Sequence, residues 1–222
     1  MPTGKDHIVY WDTCIFLAWM NDETREAGDM EGLGKIAKLV DRAEVVLVTS
    51  TLTRAEMLHS KTSKDAMKKF DGLLRRSNVV AQNVDLPIAK LTSEVMDFYI
   101  NSDFEMLTPD AIHLATAIYY SAHEFHTFDG VDGTRKPRKP TRYKSCGLLS
   151  LDGNVAGHNL KVRRPSADQY ELALPPIPED SEPFLLTPDG PAEQKSLHLL
   201  PSISPEPLSA PVVTDENPTP KG

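Results

Sequence analysis

The chain has 222 residues, which suits one domain with an appendage or two small domains. Apolar residues make up 40% and charged residues 25%, an ordinary soluble composition, and no apolar run reaches the ~18–20 residues that a membrane span needs. Two cysteines (Cys14, Cys146) exclude a disulfide framework and a CxxC metal site, and the formal net charge of −8 falls entirely within residues 166–222.

In chain order, the opening residues lack the basic-then-apolar layout of a signal peptide, so a reducing, cytoplasmic setting is expected. Ile8-Val9-Tyr10-Trp11 is a short apolar run and predicts a buried strand. Asp12-Thr13 follows, then an apolar helix from Cys14 to Met20. Leu33, Ile36, Ala37 and Val40 have helical spacing, and Val45 to Val48 predicts a second buried strand. Gly32-Leu33-Gly34-Lys35 has neither the spacing nor the preceding strand of a phosphate-binding loop. A helix is expected from Leu52 to Ser60 and another through Ala66, Met67, Phe70, Leu73 and Leu74, with Thr62 and Asp65 in capping-box spacing. Val79 to Ala81 is a third strand, and Ile88, Leu91, Val95, Phe98 and Tyr99 stripe a further helix.

Thr108-Pro109-Asp110 is a helix start, with Thr108 as N-cap and Pro109 at the first helical position. The helix that follows, Ala111 to Ala122, is apolar nearly all round and reads as central and buried. Glu124 to Phe128 predicts a fourth strand, and Leu160 to Val162 an edge strand reached through an Asp152-Gly153 turn. Strands alternating with helices imply an α/β fold: a three-layer sandwich with a central parallel sheet of four to five strands flanked by helices. In such sheets sites lie beyond the carboxyl ends of the strands.

Four acids sit at element ends. Asp12 follows strand one, Glu56 lies in the helix after strand two, Asp110 opens the buried helix, and Asp129 follows strand four. Each alone also reads as a cap, a turn or a surface residue. Together, each in apolar surroundings, they predict carboxylates converging at one sheet edge, where they would repel one another unless a cation intervened. Oxygen ligands without His or Cys companions favour Mg²⁺ or Mn²⁺, which suit phosphodiester hydrolysis by activating water and neutralising phosphate charge. His113, one turn after Asp110, reads as a packed or surface histidine with an outer-shell role as its alternative, and Cys14 reads as core.

The segments Val9-Tyr10-Trp11-Asp12-Thr13, Thr53-Arg54-Ala55-Glu56-Met57, Pro109-Asp110-Ala111-Ile112-His113-Leu114-Ala115-Thr116-Ala117 and Thr127-Phe128-Asp129 resemble those of PIN domains, and most closely VapC-type toxin ribonucleases of bacterial toxin–antitoxin pairs. The resemblance covers about residues 7–165 and makes 1–165 the nuclease domain. It implies a Mg²⁺- or Mn²⁺-dependent endoribonuclease leaving 5′-phosphate and 3′-hydroxyl ends, with Asp12, Glu56, Asp110 and Asp129 as the catalytic, metal-binding acids. Thr13 and Thr127 match hydroxyl positions that support those acids, and Asp132 is read as a loop aspartate or an outer-shell ligand. RNA as substrate, a cognate antitoxin and a homodimer are the implied partners. The alternatives are a catalytically inactive PIN-like module binding RNA or protein, and a DNA-directed nuclease of the same chemistry.

Two stretches depart from the family pattern. Arg135, Lys136, Arg138, Lys139, Arg142 and Lys144 fall within ten acid-free residues, 135–144, shortly after Asp129, a footprint suited to an RNA backbone. Residues 166–222 hold 12 of the 18 prolines, ten acids and two lysines, which predicts a disordered, acidic, Pro-rich tail. Phe184-Leu185-Leu186 and Leu197-His198-Leu199-Leu200 are short apolar patches within it that suit partner docking. If the tail competes with RNA for the basic stretch, deleting residues 166–222 will raise RNA affinity and change its salt dependence. Filter binding at several salt concentrations checks this, and unchanged affinity and slope would exclude it.

Overall fold

The computed structural model describes residues 7–25, 28–58, 62–102, 104–130 and 144–166. The basic residues Arg135, Lys136, Arg138, Lys139 and Arg142, the loop aspartate Asp132, the tail 166–222 beyond Ser166 and the side chain of Lys144 lie outside them.

Seven strands and six helices follow one another among these residues: β1 (Ile8–Trp11), α1 (Thr13–Met20), α2 (Asp29–Asp41), β2 (Val46–Ser50), α3 (Thr51–Leu58), α4 (Lys64–Leu73), β3 (Val79–Gln82), α5 (Leu86–Asn101), β4 (Phe104–Glu105), α6 (Thr108–Tyr119), β5 (Glu124–His126), β6 (Lys144–Ser145) and β7 (Lys161–Arg163). Five strands form one parallel sheet in the order β3-β2-β1-β5-β7. β1 is central because its side chains are buried on both faces. Val9 and Trp11 pack with α1, α2 and α4 through Ile15, Phe16, Leu33, Ile36 and Phe70. Tyr10 faces the other way and packs with α5 and α6 through Val95, Tyr99, Ala111 and Leu114. Each such fully buried large side chain contributes roughly 1.5–3 kcal/mol. Two apolar faces on one sheet therefore account for the three layers.

The chain runs from β1 through β2 to β3 on one side, then returns to place β5 on the other side of β1. The strand order thus reverses between β1 and β5, and the crevice beyond their carboxyl ends is the natural site of such a sheet.

Helix starts differ from the sequence reading by one residue. Ser63, not Thr62, caps α4, accepting the Ala66 N–H at 3.1 Å. Leu107 is the N-cap of α6, so Thr108 and Pro109 are already helical. Proline is tolerated there because none of the first N–H groups has a partner within the helix. The short parallel pair of β4 with β6 had no signal in the sequence, since two residues per strand leave no periodicity to read. The Asp152-Gly153 turn is present: Gly153 takes φ +81°, and Asp152 Oδ1 accepts the Val162 N–H at 3.0 Å, fixing the start of β7.

A charged group is buried near the opposite end of β5. Glu124, 5% exposed, accepts from His126 Nε2 at 2.9 Å, pairs with Arg163, and lies 3.5 Å from His7. Burial opposes ionisation of Glu124, but the His126 and His7 contacts and the Arg163 charge outweigh it and hold the carboxyl far below its ordinary range. A carboxyl depressed on folding contributes stability that is present above the unfolded value, about 4.3, and lost as pH falls below it. Glu124→Gln should therefore lower the urea midpoint at neutral pH. The gap to wild type should narrow below about pH 4.3. Urea titrations between about pH 7 and pH 3 test this, and a constant gap would contradict it.

Candidate active site

Asp12 leaves β1 and begins α1. Its backbone is extended (φ −70°, ψ 159°), as an N-cap requires, and its N–H is held by the His126 carbonyl at 3.1 Å. Oδ1 accepts the Thr13 N–H at 2.7 Å and Oδ2 accepts the Thr127 hydroxyl at 2.8 Å. The Cys14 thiol donates to the same Oδ2 at 3.3 Å. Asp12 thus caps α1 with one carboxylate oxygen and accepts from Thr127 and Cys14 with the other. Thr127 follows β5, so neighbouring parallel strands supply the acid and its donor.

Glu56 comes from α3, which begins directly where β2 ends. Its Oε2 accepts from the Thr13 hydroxyl and from His113 Nε2, the latter at 3.0 Å. Behind Thr13 runs a line of hydroxyls: Thr13 to Thr53 at 3.4 Å, Thr53 to Thr49 at 2.8 Å, and Thr49 to the Trp11 carbonyl at 3.1 Å. This line ties the first turn of α3 to β1.

His113 is 1% exposed on α6. Its Nε2 is 3.0 Å from Glu56 and 3.8 Å from Asp12 Oδ1, and its Nδ1 is 2.7 Å from the Tyr10 hydroxyl. A carboxylate can only accept, so Nε2 carries a proton. Burial disfavours the imidazolium, but the Glu56 hydrogen bond and the charges of Asp12, Glu56 and Asp110 outweigh it and raise the His113 pKa. Burial likewise opposes ionisation of Glu56, and the hydrogen bonds from His113 and Thr13 overcome it, lowering that pKa.

Asp110 lies in the first turn of α6, one turn before His113, and acts on it through charge. Asp129 stands two residues beyond Thr127. Its N–H donates to the Thr127 hydroxyl at 3.0 Å, and its Oδ2 accepts the Leu148 N–H at 3.3 Å. It thereby fastens the segment that follows β6.

The structure thus joins Asp12, Glu56, Thr13 and Thr127 in one network, links Asp110 to it through His113, and sets Asp129 at its rim. Among the described residues no three His, Cys, Asp or Glu side chains stand together in metal-binding geometry. The donor set nonetheless suits a hard divalent cation. It is all oxygen, and the described hydrogen bonds of Glu56 fall on Oε2 alone.

All four acids fall within residues 9–131, the span matched by the sequence profile of the PIN domain. The chain belongs to the PIN domain family. PIN domains are generally nucleases and usually use divalent metal ions. No curated protein matches the chain. Among solved structures, VapBC2 from Rickettsia felis, bound to a DNA fragment from its promoter, is similar at 16% identity, covering 54% of this chain and 86% of that one, with a TM-score of 0.43. VapC20 from Mycobacterium tuberculosis, a toxin that cleaves the sarcin-ricin loop, is 17% identical over 55% of this chain and 90% of that one, with a TM-score of 0.41. FitAcB from Neisseria gonorrhoeae is 16% identical over 55% and 87%, with a TM-score of 0.38. The family assignment rests on the profile.

The sequence reading of this PIN domain missed two participants, Tyr10 and Cys14, and ranked the outer-shell role of His113 second. His113 is packed, as its apolar helix suggested, yet its polar edge faces the acids. Tyr10 carried the one available signal, a polar tip inside an otherwise apolar strand, which calls for a buried partner. Cys14 was read as core, but its sulfur lies 3.3 Å from Asp12 Oδ2 and accepts the Phe128 N–H at 3.1 Å. Burial, followed by the Asp12 charge, pushes the Cys14 thiol up. The thiolate is the reactive form. Native protein at about pH 7.5 should therefore react slowly with Ellman's reagent, and both thiols should react fast once unfolded. Fast native labelling of Cys14, located by mass spectrometry, would contradict this arrangement.

Proposed function

We propose that this chain is a metal-dependent endoribonuclease of PIN type and the toxin of a toxin–antitoxin pair. The observation that carries the reading is Asp12 at the crevice between β1 and β5, with each carboxylate oxygen held by a donor and with Glu56 brought beside it through Thr13 and His113. Carboxylates gathered and aimed in this way are the machinery of metal-assisted hydrolysis.

Asp12, Glu56, Asp110 and Asp129 would hold the ion, Mg²⁺ or Mn²⁺. A bound divalent ion supplies charge neutralisation at a scissile phosphate and activation of water. The residues themselves do the positioning. Thr13 and Thr127 fix the carboxylates of Glu56 and Asp12 by donating to them. The hydroxyl line from Thr49 to Thr13 keeps α3 against β1. Arg135, Lys136, Arg138, Lys139, Arg142 and Lys144 follow Asp129 in the chain and supply the positive charge that an RNA backbone requires. The toxin role, an antitoxin partner and a homodimer follow from the resemblance of the four acidic segments to VapC-type proteins. The 1–165 nuclease domain is accordingly distinct in role from the acidic tail.

Asp12→Asn and Asp110→Asn should each lower Mn²⁺-dependent cleavage of RNA by about 100-fold or more while leaving the melting temperature within a few degrees. Cleavage assays on RNA and on DNA of the same sequence, with circular dichroism melts, check this. Full activity in a folded Asp110→Asn protein would refute the assignment, and DNA cleaved in preference to RNA would redirect it. Growth arrest on expression of wild type, absent with Asp12→Asn, is the expected mark of a toxin.

A further inference from the structure

His113 is held on both ring nitrogens, Nδ1 by Tyr10 at 2.7 Å and Nε2 by Glu56 at 3.0 Å. It is 1% exposed and Tyr10 is fully buried. The two come from opposite sides of one packing layer, Tyr10 from β1 and His113 from α6, and their rings meet edge-on with centroids 5.9 Å apart.

The geometry points to His113 as a positioning residue for the nuclease site: braced by Tyr10, it fixes the Glu56 carboxylate beside Asp12 so that the acids are set for a cation before one arrives. The inference rests on the nuclease reading above and adds a residue to it.

Glu56 is on a helix of eight residues, with 31% of its side chain open to water. Left to itself, a glutamate in that position samples several rotamers and gives up that freedom when it binds a ligand. Two donors aimed at one oxygen remove most of that freedom. One of them, the Thr13 hydroxyl, is itself rotatable. The other is an imidazole with little freedom left, because Tyr10 fixes its far nitrogen and its ring is buried. In the neutral ring Tyr10 donates to Nδ1, and in the charged ring it accepts, so the brace persists in both states. His113 is also 3.4 Å from the Thr13 hydroxyl and 3.8 Å from Asp12 Oδ1. One rigid ring therefore sets the relative placement of two acids that come from separate elements. Partners of this kind, one shell out from an ion, typically alter metal affinity or activity about 10- to 100-fold.

Three full-length variants test it: His113→Leu, His113→Gln and Tyr10→Phe. Glutamine keeps a donor at the end of a side chain of similar reach, whereas leucine fills the space without one. Mn²⁺ affinity by calorimetry, kcat and KM on one RNA, and melting temperature are measured on each. His113→Leu should weaken Mn²⁺ binding about 10-fold or more and lower kcat, with the KM for RNA little changed. His113→Gln should stay within about 3-fold of wild type, and Tyr10→Phe should show a smaller loss in the same direction. Wild-type Mn²⁺ affinity in His113→Leu would overturn the inference. So would equal loss in folded His113→Gln and His113→Leu, which would leave His113 a packing role only. Should His113→Leu fail to fold, the Gln and Phe variants decide the matter: wild-type behaviour in Tyr10→Phe together with loss in His113→Gln overturns the brace. A wild-type protein that neither binds Mn²⁺ nor cleaves RNA would instead bring down the nuclease reading, and this inference with it.

Discussion

Carboxylates brought to one edge of a sheet repel one another, and burial beside an apolar core sharpens the repulsion by removing the water that screens it. Much of the detail around β1 answers that constraint. Asp12 accepts from a backbone N–H, a threonine hydroxyl and a thiol. Glu56 accepts from a second threonine and an imidazole. The donors come from α1, from the end of β5 and from α6, so both carboxylates are satisfied only when these elements and α3, which carries Glu56, are all in place. The acid edge thereby depends on the whole fold, and the order of the strands is what makes it available.

The same β5 strand solves a similar problem at its other end. Glu124 is buried with His126, Arg163 and His7 around it. The two clusters differ in what surrounds the carboxylate. Glu124 has one guanidinium and two imidazoles around it and is almost completely enclosed. Glu56 keeps part of its side chain open to water and meets one imidazole. The first is built to be satisfied internally, and the second leaves room for something from outside. This contrast separates a carboxylate satisfied within the fold from one left partly open to solvent.

Much of the framework was legible in the residues. Ile8–Trp11 and Val79 onward read as strands because short apolar or β-branched runs bounded by polar residues admit few other readings. Boundaries were less legible where two adjacent residues could serve the same purpose, as with Thr62 and Ser63 or with Leu107 and Thr108. A hydroxyl one position away satisfies the same orphan N–H groups, and local sequence does not rank the two. At the site, the four acids stood out because each sat in apolar surroundings, and the hydroxyls of Thr13 and Thr127 because they adjoined those acids. Tyr10 and Cys14 did not stand out, and His113 did so only as the less favoured alternative. Each sits on an element whose apolar pattern already explains it, and only its polar edge has another role.

By itself the sequence determined the alternation of strands and helices, the apolar character of α6, the oxygen-only chemistry of the acids and membership of the PIN domain family. These follow from local periodicity and residue identity, which need no knowledge of what lies across the fold. Only the tertiary structure decided that Thr127 meets Asp12 across 115 residues, that His113 meets Glu56 across 57, and that β5 lies beside β1. Those contacts depend on which apolar faces bury against each other. Burial is non-directional, so a sequence pattern says that a face is covered without saying by which partner.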